Sequence, residues 1–306
     1  MSAASLHALL ARSIDYAGMF PPCNLALEPA LQNHAKYIHE SDAWMLSNFI
    51  VPVGQFAAMS GALAQFDRRH PLRVSALGPK TETVAAFRPA LQEAMEAIRR
   101  FSAEHVGVVS IDQFEMLLPG NVDLATLAEA AAMFTEIKMH VFWEAPADSV
   151  EQAVALLAQH NSQKNTRLFG YKLRTGGVTA DAFPSAAQIA RALVAMARDR
   201  VPIKFTAGLH HPVRQFRNEV KTKMHGFLNV LGAGVLGAEH NWDEGQISRM
   251  LEDENADSFS FDETIFAWRE WEIATDRIHA RRKLITSFGS CSFDEPRDDL
   301  RVLNLL

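Results

Sequence analysis

Short apolar runs with alternating polar positions recur along the chain, separated by longer Ala- and Leu-rich runs whose apolar positions repeat at helical spacing. Eight of the short runs predict strands: Ser13 to Ala17, Met45 to Val53, Leu72 to Leu77, Val106 to Asp112, Met139 to Glu144, Leu168 to Thr175, Pro202 to Ala207 and Ser258 to Asp262. Between them, stretches such as Thr83 to Phe101, Ser149 to Gln159 and Ser185 to Arg198 are long enough to be crossover helices. Strands alternating with helices predict parallel βα units, and eight of them fit an α/β (β/α)8 TIM barrel. The expected layout is one barrel domain over 1–306, with roughly 266–306 as a C-terminal helical extension and tail. Pro21, Pro22, Pro79, Pro119, Gly120, Gly176, Gly177 and Pro212 all fall at predicted loops, and no linker, low-complexity stretch or solenoid repeat interrupts the pattern. A flavodoxin-like sheet with a helical domain is the alternative, and it requires strands four to eight to be shared out differently.

In a barrel, side chains alternate between the lumen and the helix layer, and catalytic groups come from the C-terminal strand ends. In the sixth strand Phe169, Tyr171 and Leu173 suit the helix layer, which leaves Gly170, Lys172 and Arg174 inward. The same division turns Ser13 and Asp15, Ser110 and Asp112, His140, Phe142 and Glu144, Lys204 and Thr206, and Ser260 and Asp262 toward the lumen. Six strands thus place a charged residue near the C-terminal end of the inward face. Lumens are normally filled by branched apolar side chains, and burying a lone charge costs several kcal/mol, so this set points to a site. A register slip of one residue in any strand would turn its charged residue outward.

Two inward lysines on neighbouring strands are the most specific element. A lysine amine attacks carbonyl carbon near neutral pH when desolvation or a nearby cation lowers its pKa, and a second lysine one strand away can be that cation. Ion pairing of the lysines with Asp112 and Glu144 is the structural alternative.

Composition narrows the classes. The chain has 306 residues, 48% of them hydrophobic, and 30 Lys+Arg against 36 Asp+Glu give a net charge of -6. That much apolar material builds a full core, and the mild acidity argues against a nucleic-acid partner. No apolar run reaches the roughly 18 residues of a membrane span; the longest, Phe227 to Leu236, contains Asn229 and glycines and reads as a core helix. The N-terminal stretch has no basic start followed by an unbroken apolar run, which argues against a secretory signal. The two cysteines, Cys23 and Cys291, form no CxxC motif, and so sparse a use of thiols points to a reducing compartment, hence the cytoplasm. Cys291 reads as a buried thiol of the tail.

The segments SIDYAGMFPP, VFWEAP, GYKLRTGG and PIKFTAGLHH resemble the first, fifth, sixth and seventh strands of the deoxyribose-phosphate aldolase group of class I aldolases. That group carries an imine-forming lysine on strand six in a Lys-Thr-Ser-Thr-Gly-like stretch, a second lysine on strand seven before a Gly-Gly turn, and an aspartate on strand four. The resemblance implies Lys172 as the imine-forming lysine, Lys204 as the lysine that tunes it, and Asp112 as a member of the proton relay; read from the inward faces alone, Glu144 is the other candidate to shuttle protons. The lysines lie 204 − 172 = 32 residues apart, a plausible βα repeat. Arg174 replaces a small polar residue of the family, and Ala207-Gly208 replaces the Gly-Gly turn. Where the family has a phosphate-binding turn after strand eight, the sequence reads Asp262-Glu263, whose carboxylates repel a phosphate.

The expected function is therefore an aldolase-like lyase acting on a small, unphosphorylated carbonyl compound, with Lys172, Lys204, Asp112 and Glu144 catalytic and Asp15, Arg174, His210, His211 and Asp262 holding substrate. No cofactor and no bound metal are expected, since no HxH or HxxxH spacing is present. The expected partner is a small-molecule substrate, with no membrane or nucleic acid and with self-association possible. Two readings compete: a metal-dependent barrel enzyme using His210, Glu144 and Asp262, and a non-catalytic barrel with a structural charge network.

Overall fold

The computed structural model describes residues 2–135, 137–163 and 168–306. Eight parallel strands close into a barrel: β1 (Ile14–Tyr16), β2 (Leu46–Pro52), β3 (Leu72–Leu77), β4 (Val109–Leu117), β5 (His140–Glu144), β6 (Phe169–Arg174), β7 (Ile203–Thr206) and, closing between β7 and β1, a strand at Ile285–Ser290. The chain between β7 and that closing strand carries a hairpin of β8 (Gln215–Arg217) and β9 (Thr222–Met224). It also carries a separate antiparallel sheet of β10 (Phe259–Phe261), β11 (Ile265–Trp268) and β12 (Trp271–Ala274). The closing strand is accordingly β13.

The helix layer follows from the strand pattern. On β6, Phe169, Tyr171 and Leu173 are fully buried on the outer face, and Phe169 stacks on His160 with centroids 4.5 Å apart and meets Trp143 edge-on at 5.3 Å. The helix Ala186–Asp199 begins with a reciprocal cap between Ser185 and Gln188 and ends at Arg200 in a left-handed conformation. On the lumen side, a Cβ on Gly170 would lie 2.6 Å from the Phe142 ring and 2.9 Å from the Pro202 carbonyl, so glycine lets the phenyl ring fill the base of the barrel. The run Phe227 to Leu236 lies in a buried core helix, as expected, and Gly234 seats Ile285 of β13 against it.

Two strand assignments need correction. The segment Ser258 to Asp262 does form a strand, but β10 pairs antiparallel with β11 outside the barrel, so its alternation belongs to a different sheet. The eighth barrel strand is β13. Its inward positions are Ser287 and Gly289, so it lacks the apolar density that marks a strand. The stretch after 266, expected as helix and tail, holds the helices Thr275–Arg281 and Asp294–Val302 but also most of β11, all of β12 and the barrel strand β13.

The fourth strand is displaced. Val106 contributes only an isolated bridge, and β4 runs on to Leu117. Its pairing with β3 steps from Val74↔Ile111 to Ser75↔Gln113, leaving Asp112 as the extra residue of a bulge. Beyond the bulge Gln113 and Glu115 face the lumen, and Asp112 does not.

Candidate active site

The lumen holds a ladder of charges. Lys204 Nζ lies 2.6 Å from Asp15 Oδ2, donates to Gln113 Oε1 at 2.5 Å, and pairs with Glu115. Lys172 Nζ lies 2.8 Å from Glu115 Oε2 and 2.9 Å from Glu144 Oε2. Asp15 also accepts from the Asn48 backbone N–H at 3.0 Å, from Asn48 Nδ2 at 2.9 Å and from Ser287 Oγ at 2.6 Å; Ser75 Oγ donates to Glu115 at 2.5 Å. Strand register builds the ladder. Glu144, Lys172 and Lys204 occupy paired positions on β5, β6 and β7, while Gln113 and Glu115 enter from β4 beyond the bulge.

The ladder has a closed end and an open end. The Asp15, Glu115 and Lys204 side chains are sealed at 0%, whereas Lys172 is 8% and Glu144 20% exposed at the C-terminal mouth. Arg174 Nη1 stands 4.0 Å from Glu144 and projects into solvent. Two buried ammonium groups thus face the carboxylates of Asp15, Glu115 and Glu144, and the third carboxylate, at the mouth, also has water and the exposed guanidinium within reach.

This pairing decides the protonation state of Lys172. Burial works to lower its pKa, but the facing carboxylates of Glu115 and Glu144 outweigh it and hold the ammonium above the ordinary lysine range. Burial alone would raise Glu115; Lys172 and Lys204 hold it down at about 2. The expectation that Lys204 makes Lys172 more acidic is thus corrected, because Glu115 stands between the two cations.

His210 and His211 follow β7 at the same end. Ala207 and Gly208 both have positive φ, and Gly208 packs so close to Gly176 that an added Cβ would lie 2.8 Å from its Cα. The turn delivers His210 Nδ1 to 3.1 Å from Glu295 Oε2 and His211 Nδ1 to 2.6 Å from Asp299 Oδ2, both on the helix Asp294–Val302. The hydrogen bond from His210 holds the Glu295 carboxyl below its ordinary range.

The remaining expected residues lie elsewhere. Asp112 sits near the N-terminal end of the barrel, 2.7 Å from Arg73 and 3.5 Å from Arg12. Asp262 is on the outer sheet, where it caps its own turn by accepting from the Thr264 and Ile265 backbone N–H groups at 2.7 and 2.8 Å. A metal site of His210, Glu144 and Asp262 therefore does not assemble. Among the described residues no group of three His, Cys, Asp or Glu side chains is arranged to hold a metal ion. His225, with its pKa lowered to about 4 by burial, lies between the Pro184 carbonyl at 2.7 Å and Arg214 at 3.2 Å.

Sequence reasoning missed Gln113, Glu115, Glu295 and Asp299. Restarting the alternation after Asp112, with Phe114 and Met116 outward, would have found the first two. A cavity of about 1150 Å³ lies at the N-terminal end, where Asn48, Gln113 and Ser287 touch the ladder from below and Arg12, Arg73 and Asp112 form its rim. Barrel enzymes build their active sites at the opposite end, so the C-terminal mouth, with Lys172, Glu144 and Arg174, is the candidate.

No family model matches the sequence, and no curated protein matches it. A malate synthase of Haloferax volcanii, solved as a magnesium and glyoxylate complex, superposes with a TM-score of 0.44 at 8% identity, covering 79% of this chain and 74% of that one. No helix among the described residues is long and apolar enough to cross a membrane.

Proposed function

We propose that this chain is an enzyme, an aldolase-like lyase that acts on a small, unphosphorylated carbonyl compound at the C-terminal mouth of its barrel. The observation that carries the reading is the Lys172 to Glu144 contact of 2.9 Å at the one end of the ladder open to solvent. Glu144 takes a proton from the Lys172 ammonium, the freed amine adds to the carbonyl carbon, and loss of water leaves an iminium ion. Glu115, ionised throughout, stabilises that cation. The iminium accepts the electron pair of the breaking carbon–carbon bond as the hydroxyl beside that bond gives its proton to the Glu144 carboxylate and becomes the carbonyl of the first product; that proton returns to the enamine carbon, and water releases the second product and the lysine amine. Arg174, with its exposed guanidinium, binds a substrate carboxylate. Deprotonating Lys172 costs about 1.4 kcal/mol for each unit its pKa lies above the working pH, so the rate rises with pH.

A second reading is favoured by a specific observation: both lumen lysines already have carboxylate partners, as in a purely structural ladder. Incubation with small aldehydes or 2-keto acids and a hydride reductant separates the two. The lyase reading expects one adduct per chain, mapped to Lys172 and absent in Lys172→Arg. Labelling spread over surface lysines, or unchanged in that variant, would assign the ladder to stability alone.

A further inference from the structure

We propose that Cys23 and Cys291 form a redox-active dithiol at the barrel mouth, which a hydroperoxide converts into an intramolecular disulfide. The two thiols are 268 positions apart in sequence, yet their Sγ atoms lie 2.9 Å apart. The fold holds them there from both sides. Strands β1 and β13 are neighbours, with Tyr16 opposite Ser290, and the Ala17 N–H donates to the Ser290 carbonyl at 2.7 Å, so the residue after β13, Cys291, stands beside the loop that leaves β1. That loop is tied to itself by Phe20 N–H to Ala17 at 2.9 Å, Asn24 N–H to Phe20 at 3.0 Å and Leu25 N–H to Gly18 at 3.0 Å, which keeps Cys23 over Cys291.

A disulfide needs its sulfurs at about 2.05 Å, so closure requires a movement of less than about 1 Å, within the reach of side-chain torsions. The pair is also asymmetric. Cys23 is exposed and Cys291 is 5% exposed. Burial keeps Cys291 in its thiol form and out of solvent, so the exposed Cys23 is the group that meets the oxidant. Its thiolate attacks the terminal oxygen of the hydroperoxide, the O–O bond breaks, and the alkoxide leaves with the proton that Cys23 released. The resulting sulfenic acid is attacked by the Cys291 sulfur; the S–O bond breaks, and hydroxide leaves with the Cys291 proton as water. Two thiols and one hydroperoxide thus give one disulfide, one alcohol and one water. A dithiol reductant reverses the change by exchange. This inference is independent of the chemistry assigned to Lys172.

The test uses the full chain, reduced, desalted and treated with one equivalent of hydrogen peroxide. The expected result is loss of both free thiols, a mass lower by two hydrogens, and a single cross-linked peptide pair containing Cys23 and Cys291. The product remains monomeric on a non-reducing gel and melts several degrees higher than the reduced form, because a long loop has been closed. Dithiothreitol restores both thiols. Cys23→Ser, a change at an exposed position, removes the mass change and the thermal shift, and Cys291→Ser leaves a sulfenic acid at Cys23 that dimedone captures. Persistence of both thiols, a sulfinic acid at Cys23 in the unmutated chain, or a disulfide between chains would overturn the proposal.

Discussion

Glu115 Oε2 lies 2.8 Å from Lys172 Nζ, and the other oxygen of the same carboxylate pairs with Lys204, so one buried anion separates the two cations of the lumen. Two lysines on adjacent strands suggest mutual repulsion and a neutral amine. With Glu115 between them they form an alternating ladder in which each ammonium is stabilised. The acid limb of stability, the relative cost of losing either lysine and the pH dependence of the chemistry all follow from this arrangement.

Glu115→Gln should be among the most damaging polar substitutions in the barrel. It removes the anion that two buried cations share, and breaking a buried pair from one side costs about 3 to 5 kcal/mol. The carboxyl is held at about 2 in the fold against an ordinary 4.5. A depressed carboxylate contributes stability that is complete above its unfolded value and is lost as pH falls through its folded value. Urea unfolding of the unmutated chain should thus show a loss on the order of 3 kcal/mol between about pH 4.5 and 2. Glu115→Gln should lack that portion of the acid limb. An identical acid limb in the variant would show that other carboxylates set it.

The two lysines should differ in what their loss costs. Lys204→Met leaves the fully buried Asp15 without its cation and Glu115 with Lys172 alone, and should cost about 3 to 5 kcal/mol. Lys172→Met leaves Glu115 paired with Lys204 and leaves Glu144 with water and Arg174 in reach, so about 1 to 3 kcal/mol is expected. Chemical denaturation of the two variants side by side checks the order, and equal losses would contradict the open and closed ends of the ladder.

The sequence pattern was read correctly where a strand alternates cleanly between an apolar outer face and a polar inner one. In β6 the series Phe169, Tyr171, Leu173 leaves only one face for Lys172, and β5 and β7 follow the same logic for Glu144 and Lys204. It failed at Asp112, because a bulge adds one residue and changes the face of everything after it, and a period of two carries no mark of the step. It failed again at β13, whose Ser287 and Gly289 are small because the lumen there is filled by Asp15 and its partners. The ladder members Gln113 and Glu115 lay in plain alternation with Phe114 and Met116, but past the assumed end of the strand. The meeting of Cys23 with Cys291 depends on which strand closes the barrel, which no local pattern encodes.

Phosphorylated ligands should be disfavoured at the mouth. With Asp262 and Glu263 outside the barrel, the corner after strand eight is instead formed by the first turn of the helix Asp294–Val302, which begins with Asp294 and Glu295. A carboxylate a few ångströms from a phosphate dianion costs on the order of 1 to 4 kcal/mol at surface-like dielectric. Millimolar inorganic phosphate should therefore leave the melting midpoint unchanged and should not slow hydride trapping at Lys172. Protection by phosphate that is lost on mutating Arg174 would reverse this expectation.

Asp112 and Glu144 give the sharpest separation between the resemblance to the aldolases and the geometry of this barrel. The resemblance makes Asp112 a proton carrier, but it lies at the far end of the barrel against Arg73 and Arg12, so Asp112→Asn should leave both turnover and Lys172 trapping within about twofold of the unmutated chain. Glu144→Gln acts on Lys172 directly. It removes one of the two carboxylates that raise the lysine, so the ammonium becomes easier to deprotonate. Trapping by an added aldehyde depends on the neutral amine, so its pH profile should move toward acid in Glu144→Gln. Turnover depends also on the proton that Glu144 carries, and should fall by about 10²- to 10⁴-fold. Faster trapping at neutral pH with slower turnover, in one variant, is the pattern expected of a base that both pairs with the nucleophile and serves it. A parallel fall in both would mean that Glu144 only holds Lys172 in place, and a fall in either for Asp112→Asn would restore the strand-four aspartate to the mechanism.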